Sequence, residues 1–304
     1  MPRTLIAGGT GFIGQRMAIK CQNMGHQVTV IGARKRRHSI FDEAGITSKY
    51  GNLSKTHFSD IVGCNEFEYV INLSGYIDHR TIAEGGWEVY ETHTKSAYNL
   101  ITGIDANTLK TFIQVGTSDE YGAAHSPQNE ASREEPISLY SLAKLSNTHL
   151  IQIMARNSKF PGIVVRPFLV YGPGQAQNRL IPFVVHECLQ DHSFDTTPGE
   201  QLRDFLYVDD FCDGVISLLD KPDLYGRIFN IASGKAVTIK KIIEKVITET
   251  GGGKANFGSK PYRTGESMAL YADISAITAA TGWTPKISLI DGLRQTISDM
   301  KNST

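Results

Sequence analysis

Tyr140 and Lys144 stand four residues apart in the run LYSLAKLSN, and Thr117 follows the apolar run FIQV in GTSDEYG. A spacing of four puts the phenol and the amine on one face of a helix. An ammonium beside a phenol favours the phenolate, so such a pair exchanges protons near neutral pH, well below the value near 10 at which tyrosine ordinarily titrates. Thr117 adds a hydroxyl at a strand end. Taken alone, Tyr-x-x-x-Lys is a common surface pairing. The elements that carry it decide its meaning.

Those elements are written in the alternation of short β-branched runs with longer amphipathic segments. Residues 4–7 predict a strand, Ile13, Met17, Cys21 and Met24 recur near helical spacing, and residues 28–31 predict a second strand. Unbroken apolar runs at 69–73, 112–115 and 162–168 predict further strands buried on both faces of a parallel sheet, which makes the expected class doubly wound α/β. Residues 1–171 are expected to form a dinucleotide-binding Rossmann domain that includes the Tyr/Lys pair. Residues 172–304 are expected to form a smaller α/β substrate-binding region, partly interleaved with the first.

Between the first strand and its helix lies LIAGGTGFIGQRM, with glycines at 8, 11 and 14. A glycine turn that opens a helix offers free backbone N–H groups and a positive dipole end to a pyrophosphate. Gly8 allows the tight turn, Gly11 a close approach of the phosphates, and Gly14 the packing of helix on sheet. At the end of the second strand an acidic residue would accept hydrogen bonds from the adenosine ribose of NAD. Gly32 stands there instead, followed by Arg34, Lys35, Arg36 and Arg37. A carboxylate repels a ribose 2′-phosphate and an arginine fork binds it. The expected cofactor is NADP(H) in preference to NAD(H), with Arg34 on the phosphate and Lys35 and Arg37 in a solvated basic loop.

The runs GGTGFIG, INLSG, VGTSDEYG, YSLAK, RPFLVYGPGQ and LRDFLYVDD together resemble the extended short-chain dehydrogenase/reductases that modify nucleotide sugars, over nearly the whole chain. The resemblance implies that Thr117 bonds the reacting sugar oxygen, Tyr140 moves its proton, and Lys144 holds the nicotinamide ribose. It also implies that Phe12 and Ile13 line the pyrophosphate turn, Asn52 and Leu53 lie beside adenine, and Leu73, Ser74 and Gly75 border the cofactor. Ser118 is assigned to the sugar, and Arg203 and Arg263 to its diphosphate. Departures are Asn52 for a usual Asp, Leu169 for an asparagine that contacts the diphosphate, and His93 for a common asparagine. Homodimerisation, through a helical contact that includes the helix bearing Tyr140, is implied as well.

Three reactions share such a scaffold: 4-epimerisation, 4,6-dehydration and 4-keto reduction. The dehydratases carry glutamate two residues after the threonine, where this chain has Asp119, and strand alternation turns Glu120 to the other face. With NADP(H) expected, the first reading is reduction at C4 of a nucleotide-linked 4-keto-6-deoxyhexose. A 4-epimerase comes second, a dehydratase third, and a redox-inactive Rossmann protein is the alternative of another class.

Bulk properties bound the rest. The formal charge over 304 residues is zero, so nothing favours nucleic acid or an anionic membrane. Cys21, Cys64, Cys188 and Cys212 form no Cys-x-x-Cys pair, which argues against zinc and disulfides. No stretch has the length of a membrane span and no signal peptide opens the chain, so a cytoplasmic location is expected.

Overall fold

The computed structural model describes residues 1–35, 38–63, 66–263 and 265–302. The chain begins with alternating strands and helices: β1 (Arg3–Ala7), α1 (Phe12–Asn23), β2 (Gln27–Gly32), α2 (Ser39–Glu43), β3 (Thr47–Tyr50), α3 (Phe58–Val62) and β4 (Tyr69–Asn72). It continues with α4 (Trp87–Gly103), β5 (Thr111–Val115), α5 (Leu139–Ser158) and β6 (Gly162–Pro167). Every residue of β4 and β5 is buried, as unbroken apolar runs require when helices cover both faces.

After β6 come β7 (Leu169–Tyr171), α6 (Leu180–Leu189), β8 (Ser193–Thr196), β9 (Leu202–Tyr207), α7 (Val208–Ile216) and β10 (Ile228–Ile231). The last elements are β11 (Ala236–Thr238), α8 (Ile239–Thr250), β12 (Lys254–Phe257), β13 (Ala269–Leu270), α9 (Ser275–Thr281) and α10 (Leu289–Asn302).

The large sheet has seven strands in the order β10-β6-β5-β4-β1-β2-β3, all parallel. Strand order reverses at β1, with β2 on one side and β4 on the other, so a crevice opens beyond the carboxyl ends of these strands. Two members escaped the apolar pattern. β3 is the polar edge strand TSKY, and β10 comes from the later part of the chain. A second, smaller sheet gathers β7, β11 and β13 around β9, and β12 pairs with β8.

One large apolar cluster joins Ile6, Ile113 and Ile163 of the main sheet to Phe211, Ile242, Val246 and Leu293 of the later helices. α1 packs on it through Met17, Ala18 and Cys21, while Met24 lies beyond the helix and is exposed. Cys21, Cys188 and Cys212 are buried thiols, and Cys64 lies outside the described residues. Among the described residues no group of ligating side chains could hold a metal ion, and no helix is long and apolar enough to cross a membrane.

Candidate active site

The glycine turn is shaped by close backbone packing. Gly8 has φ +76°, and a Cβ there would lie 2.6 Å from the Leu73 carbonyl oxygen; at Gly14 it would meet the Gly8 oxygen at 2.3 Å. Only glycine brings the start of α1, β1 and the end of β4 so close. α1 begins at Gly11 with no side-chain cap and no acidic residue in its first turn, so its positive end faces the crevice uncompensated. This cradle fits a dinucleotide pyrophosphate.

The cleft above it, of about 1030 Å³, is lined by Gly8, Gly11, Phe12, Ile13, Gly14, Arg34, Asn52, Leu53, Leu73, Ser74, Gly75, Thr117, Tyr140 and Lys144, among others. A Cβ at Gly32 would strike the Thr10 side chain at 2.6 Å, so the usual place for a ribose-reading carboxylate is closed by Thr10. Arg34 is exposed at the cleft and Lys35 is exposed beside it, while Arg36 and Arg37 lie outside the described residues. The Asn52 carboxamide oxygen accepts the Ser54 N–H (3.0 Å) and hydroxyl (2.8 Å), a local turn at this end of the cleft.

A polar ladder that apolar patterning could not show sets the opposite rim. Buried Asn72, at the end of β4, donates to Gln114 of β5 (2.9 Å) and accepts the N–H (3.1 Å) and hydroxyl (2.5 Å) of Ser74. His93 of α4 lines the cleft, but its Nε2 donates to the Tyr76 carbonyl (3.0 Å). Burial and the Lys144 charge push this imidazole down to about 3, so it is a neutral packing group.

Thr117, Tyr140 and Lys144 are presented by two elements. Thr117 follows β5 and caps the short turn Ser118–Tyr121, its Oγ1 accepting the Asp119 N–H at 3.2 Å. Ser138 caps α5 by accepting the Ser141 N–H at 3.1 Å, which fixes the helix just ahead of Tyr140. Tyr140 and Lys144 are both buried, and Lys144 Nζ donates to the Val115 carbonyl at 3.0 Å. The expected acidification of the phenol by Lys144 is not found. Burial, reinforced by the Asp119 charge, drives Tyr140 above its ordinary value, and the hydrogen bond with Thr117 opposes the rise. Burial pushes the Lys144 amine down to about 8 against the favourable charge of Glu120.

Two readings of the turn are also corrected. Ser118 is 4% exposed and does not line the cleft, because the 3₁₀ turn rotates it into the interior. Glu120 does point away from the cleft, but this same turn, not strand alternation, directs it inward. Asp119, the other carboxylate of the turn, is within reach of the charges of His79, Arg179 and Arg203, and burial raises its carboxyl.

A second cavity of about 350 Å³ shares Leu169 and Leu180 with the cleft and contains Arg203, Arg263, Lys260 and Glu266. Arg203 is ion-paired with Glu266 and also donates to its neighbour's Leu202 carbonyl at 2.8 Å. Arg263 is exposed in the same cavity. Asp204 is not a partner of Arg203: it is fully buried and accepts the Ser233, Gly234 and Ala272 N–H groups. Arg179, at the start of α6, and Lys260 are cationic site residues that no sequence motif singled out.

Fold and site together define a Rossmann protein with a Thr/Tyr/Lys trio facing a dinucleotide cradle. The chain matches the model of the NAD dependent epimerase/dehydratase family over residues 4–232 and belongs to that family. It is 26% identical over 321 residues to a UDP-glucuronate 4-epimerase of Thermodesulfobacterium geofontis, covering 98% of this chain and 96% of that one. A UDP-glucuronic acid 4-epimerase from Bacillus cereus, solved with a fluorinated UDP-sugar and NAD, superposes with TM-score 0.87 at 25% identity, covering 99% of this chain and all of the other. A dTDP-glucose 4,6-dehydratase from Bacillus anthracis, in complex with NAD, shares the fold with TM-score 0.85 at 20% identity over 99% of this chain and 97% of that one.

Proposed function

We propose that this protein is a nucleotide-sugar 4-epimerase that retains a nicotinamide dinucleotide. The carrying observation is that Thr117, Tyr140 and Lys144 border one cleft, and that Leu169 and Leu180 of that cleft also line the neighbouring cavity holding Arg203 and Arg263. The sugar would lie against Thr117 and Tyr140, its diphosphate among the arginines, and the cofactor pyrophosphate on the α1 N-terminus. Support for epimerisation over the reduction expected from sequence comes from the relatives, which include UDP-glucuronate 4-epimerases at 26% identity. NAD is favoured over NADP by the NAD named in the complex from Bacillus cereus.

The α1 N-terminus and Lys144 would hold a nicotinamide dinucleotide, which would supply reversible hydride acceptance at C4 and a positive charge favouring the phenolate of Tyr140. Tyr140 takes the proton of the C4 hydroxyl and later returns it to the alkoxide. Thr117 holds the C4 oxygen, and Lys144 fixes the cofactor ribose. Dehydration is the weaker reading, since the turn carries the shorter Asp119 two residues after Thr117 and Glu120 is directed inward.

A second reading, NADPH-dependent reduction of a 4-keto sugar, is favoured by Tyr140 being held protonated, the form that donates to an alkoxide, and by Arg34 at the adenosine end. One experiment separates the two. UDP-glucose or UDP-glucuronate incubated without added cofactor gives its 4-epimer under the first reading; oxidation of added NADPH by a 4-keto-6-deoxy nucleotide sugar supports the second. Arg34→Ala then reports on the phosphate: an unchanged NADPH-to-NADH preference removes Arg34 from that role. α4 and α5 leave Tyr98, Leu142 and Ile153 exposed, and a homodimer through this face is tested by light scattering.

A further inference from the structure

Beneath the catalytic turn lies a charged cluster that none of these steps uses. Glu120 and Arg166 are fully buried. Glu120 Oε1 accepts the backbone N–H of Thr117 at 2.9 Å. Its Oε2 accepts the Thr148 hydroxyl at 2.8 Å and Arg166 Nε at 2.9 Å, with Arg166 Nη2 at 2.8 Å. Arg166 also reaches Glu134 at 2.9 Å and lies 4.4 Å over the ring of Tyr121. A Cβ on Gly116 would meet Glu120 Oε1 at 2.2 Å, so the carboxylate is pressed against the backbone that directly follows Val115, whose carbonyl holds Lys144.

We propose that Glu120 is a positioning residue of the catalytic centre: one oxygen fixes the turn that presents Thr117, and its charge holds the neighbouring Lys144 as an ammonium. This rests on reading Tyr140 and Lys144 as the proton-moving pair. Two carboxylates, Glu120 and Glu134, against one guanidinium leave the cluster negative next to a buried amine. Lys144 and Tyr140 face Glu120 from α5 and Arg166 faces it from β6; neutral His93 faces Lys144 from α4, and Glu130 adds charge near Arg166. Burial alone works against the ammonium, and Glu120 is the charge that opposes it. Its distance in sequence from Arg166 and Thr148 hides the arrangement from any local motif.

The test reads Lys144 itself, without turnover. Full-length protein is labelled with a small amine-acylating reagent across a pH series, and the Lys144 peptide is quantified by mass spectrometry. Glu120→Gln keeps an acceptor for the Thr117 N–H and removes the charge. Glu120→Gln combined with Arg166→Met also removes the guanidinium that the first change leaves unpaired, and covers the case in which the single variant does not fold. The Lys144 midpoint is expected to fall by about one pH unit in Glu120→Gln with wild-type circular dichroism, and by less in the double variant, where loss of the guanidinium offsets part of the lost negative charge. Thr148→Val removes a hydrogen bond from Glu120 but no charge, and should leave the midpoint in place. An unmoved midpoint in the Glu120 variants, or an equal shift in Thr148→Val, overturns the proposal. Wild-type protein that turns over no nucleotide sugar would defeat the functional reading alone, since the labelling needs no activity.

Discussion

Lys144 donates from Nζ to the carbonyl oxygen of Val115 across 3.0 Å, and so ties the helix that bears Tyr140 to the strand that ends just before Thr117. The two hydroxyls of the site thus belong to elements distant in sequence that one buried cation holds in register. A cation whose hydrogen bond is part of the scaffold also ties activity to its own protonation.

Replacing Tyr140 by Phe keeps the ring, its burial and the helix cap, and removes only the hydroxyl. Loss of the acid/base group should lower kcat about 10²- to 10⁴-fold. Cofactor affinity, followed by fluorescence titration, should stay within about twofold. Full activity in this variant would refute the role given to Tyr140.

Activity should fall on the alkaline side. Lys144 is held at about 8, below the 10.5 of a free lysine, so it sheds its proton as pH rises through about 8. If the charged form is the working one, kcat/KM should drop about tenfold per pH unit above that value. The measurement is a pH profile of kcat/KM in buffers of constant ionic strength.

His93 predicts an acid-side loss of stability. Its imidazole is held at about 3 in the fold against 6.5 in the unfolded chain. Below pH 6.5 the unfolded chain binds the extra proton, so stability present above 6.5 is lost as pH falls toward about 3. Between about pH 7 and pH 4.5 this group should cost about 2 kcal/mol. In His93→Asn the urea-unfolding free energy should change less over the same interval, whatever its value at neutral pH.

Arg263 offers the freest test of the second cavity, because it is exposed there and Arg203 is already paired with Glu266. Arg263→Ala should raise the KM for a nucleotide sugar about tenfold with little change in kcat, as loss of a charge-assisted phosphate contact does. The same KM for wild type and variant would remove Arg263 from the diphosphate site.

Much of this architecture is legible in the chain. Glycines at 8 and 14 mark positions where any larger group collides with neighbouring backbone, and unbroken apolar runs mark strands covered on both faces. TSKY escaped because an edge strand needs no apolar pattern, and IFNI because its place beside β6 is set by a long-range crossing. The resemblance does not carry over at Ser118, because the 3₁₀ turn after Thr117 directs that side chain into the interior and away from the cleft. The raised Tyr140 and the Glu120–Arg166 pair depend on burial and on contacts across long stretches of chain, which spacing rules do not reach.

The edge strand Ile228–Ile231, hydrogen-bonded to Gly162–Pro167, has a consequence for biosynthesis. A nascent chain emerging from the ribosome cannot finish its nucleotide-binding sheet until about three quarters of the polypeptide has been made. Until then the flank of the sixth strand stays open, and a product terminated before residue 228 would expose a bare apolar border to other chains.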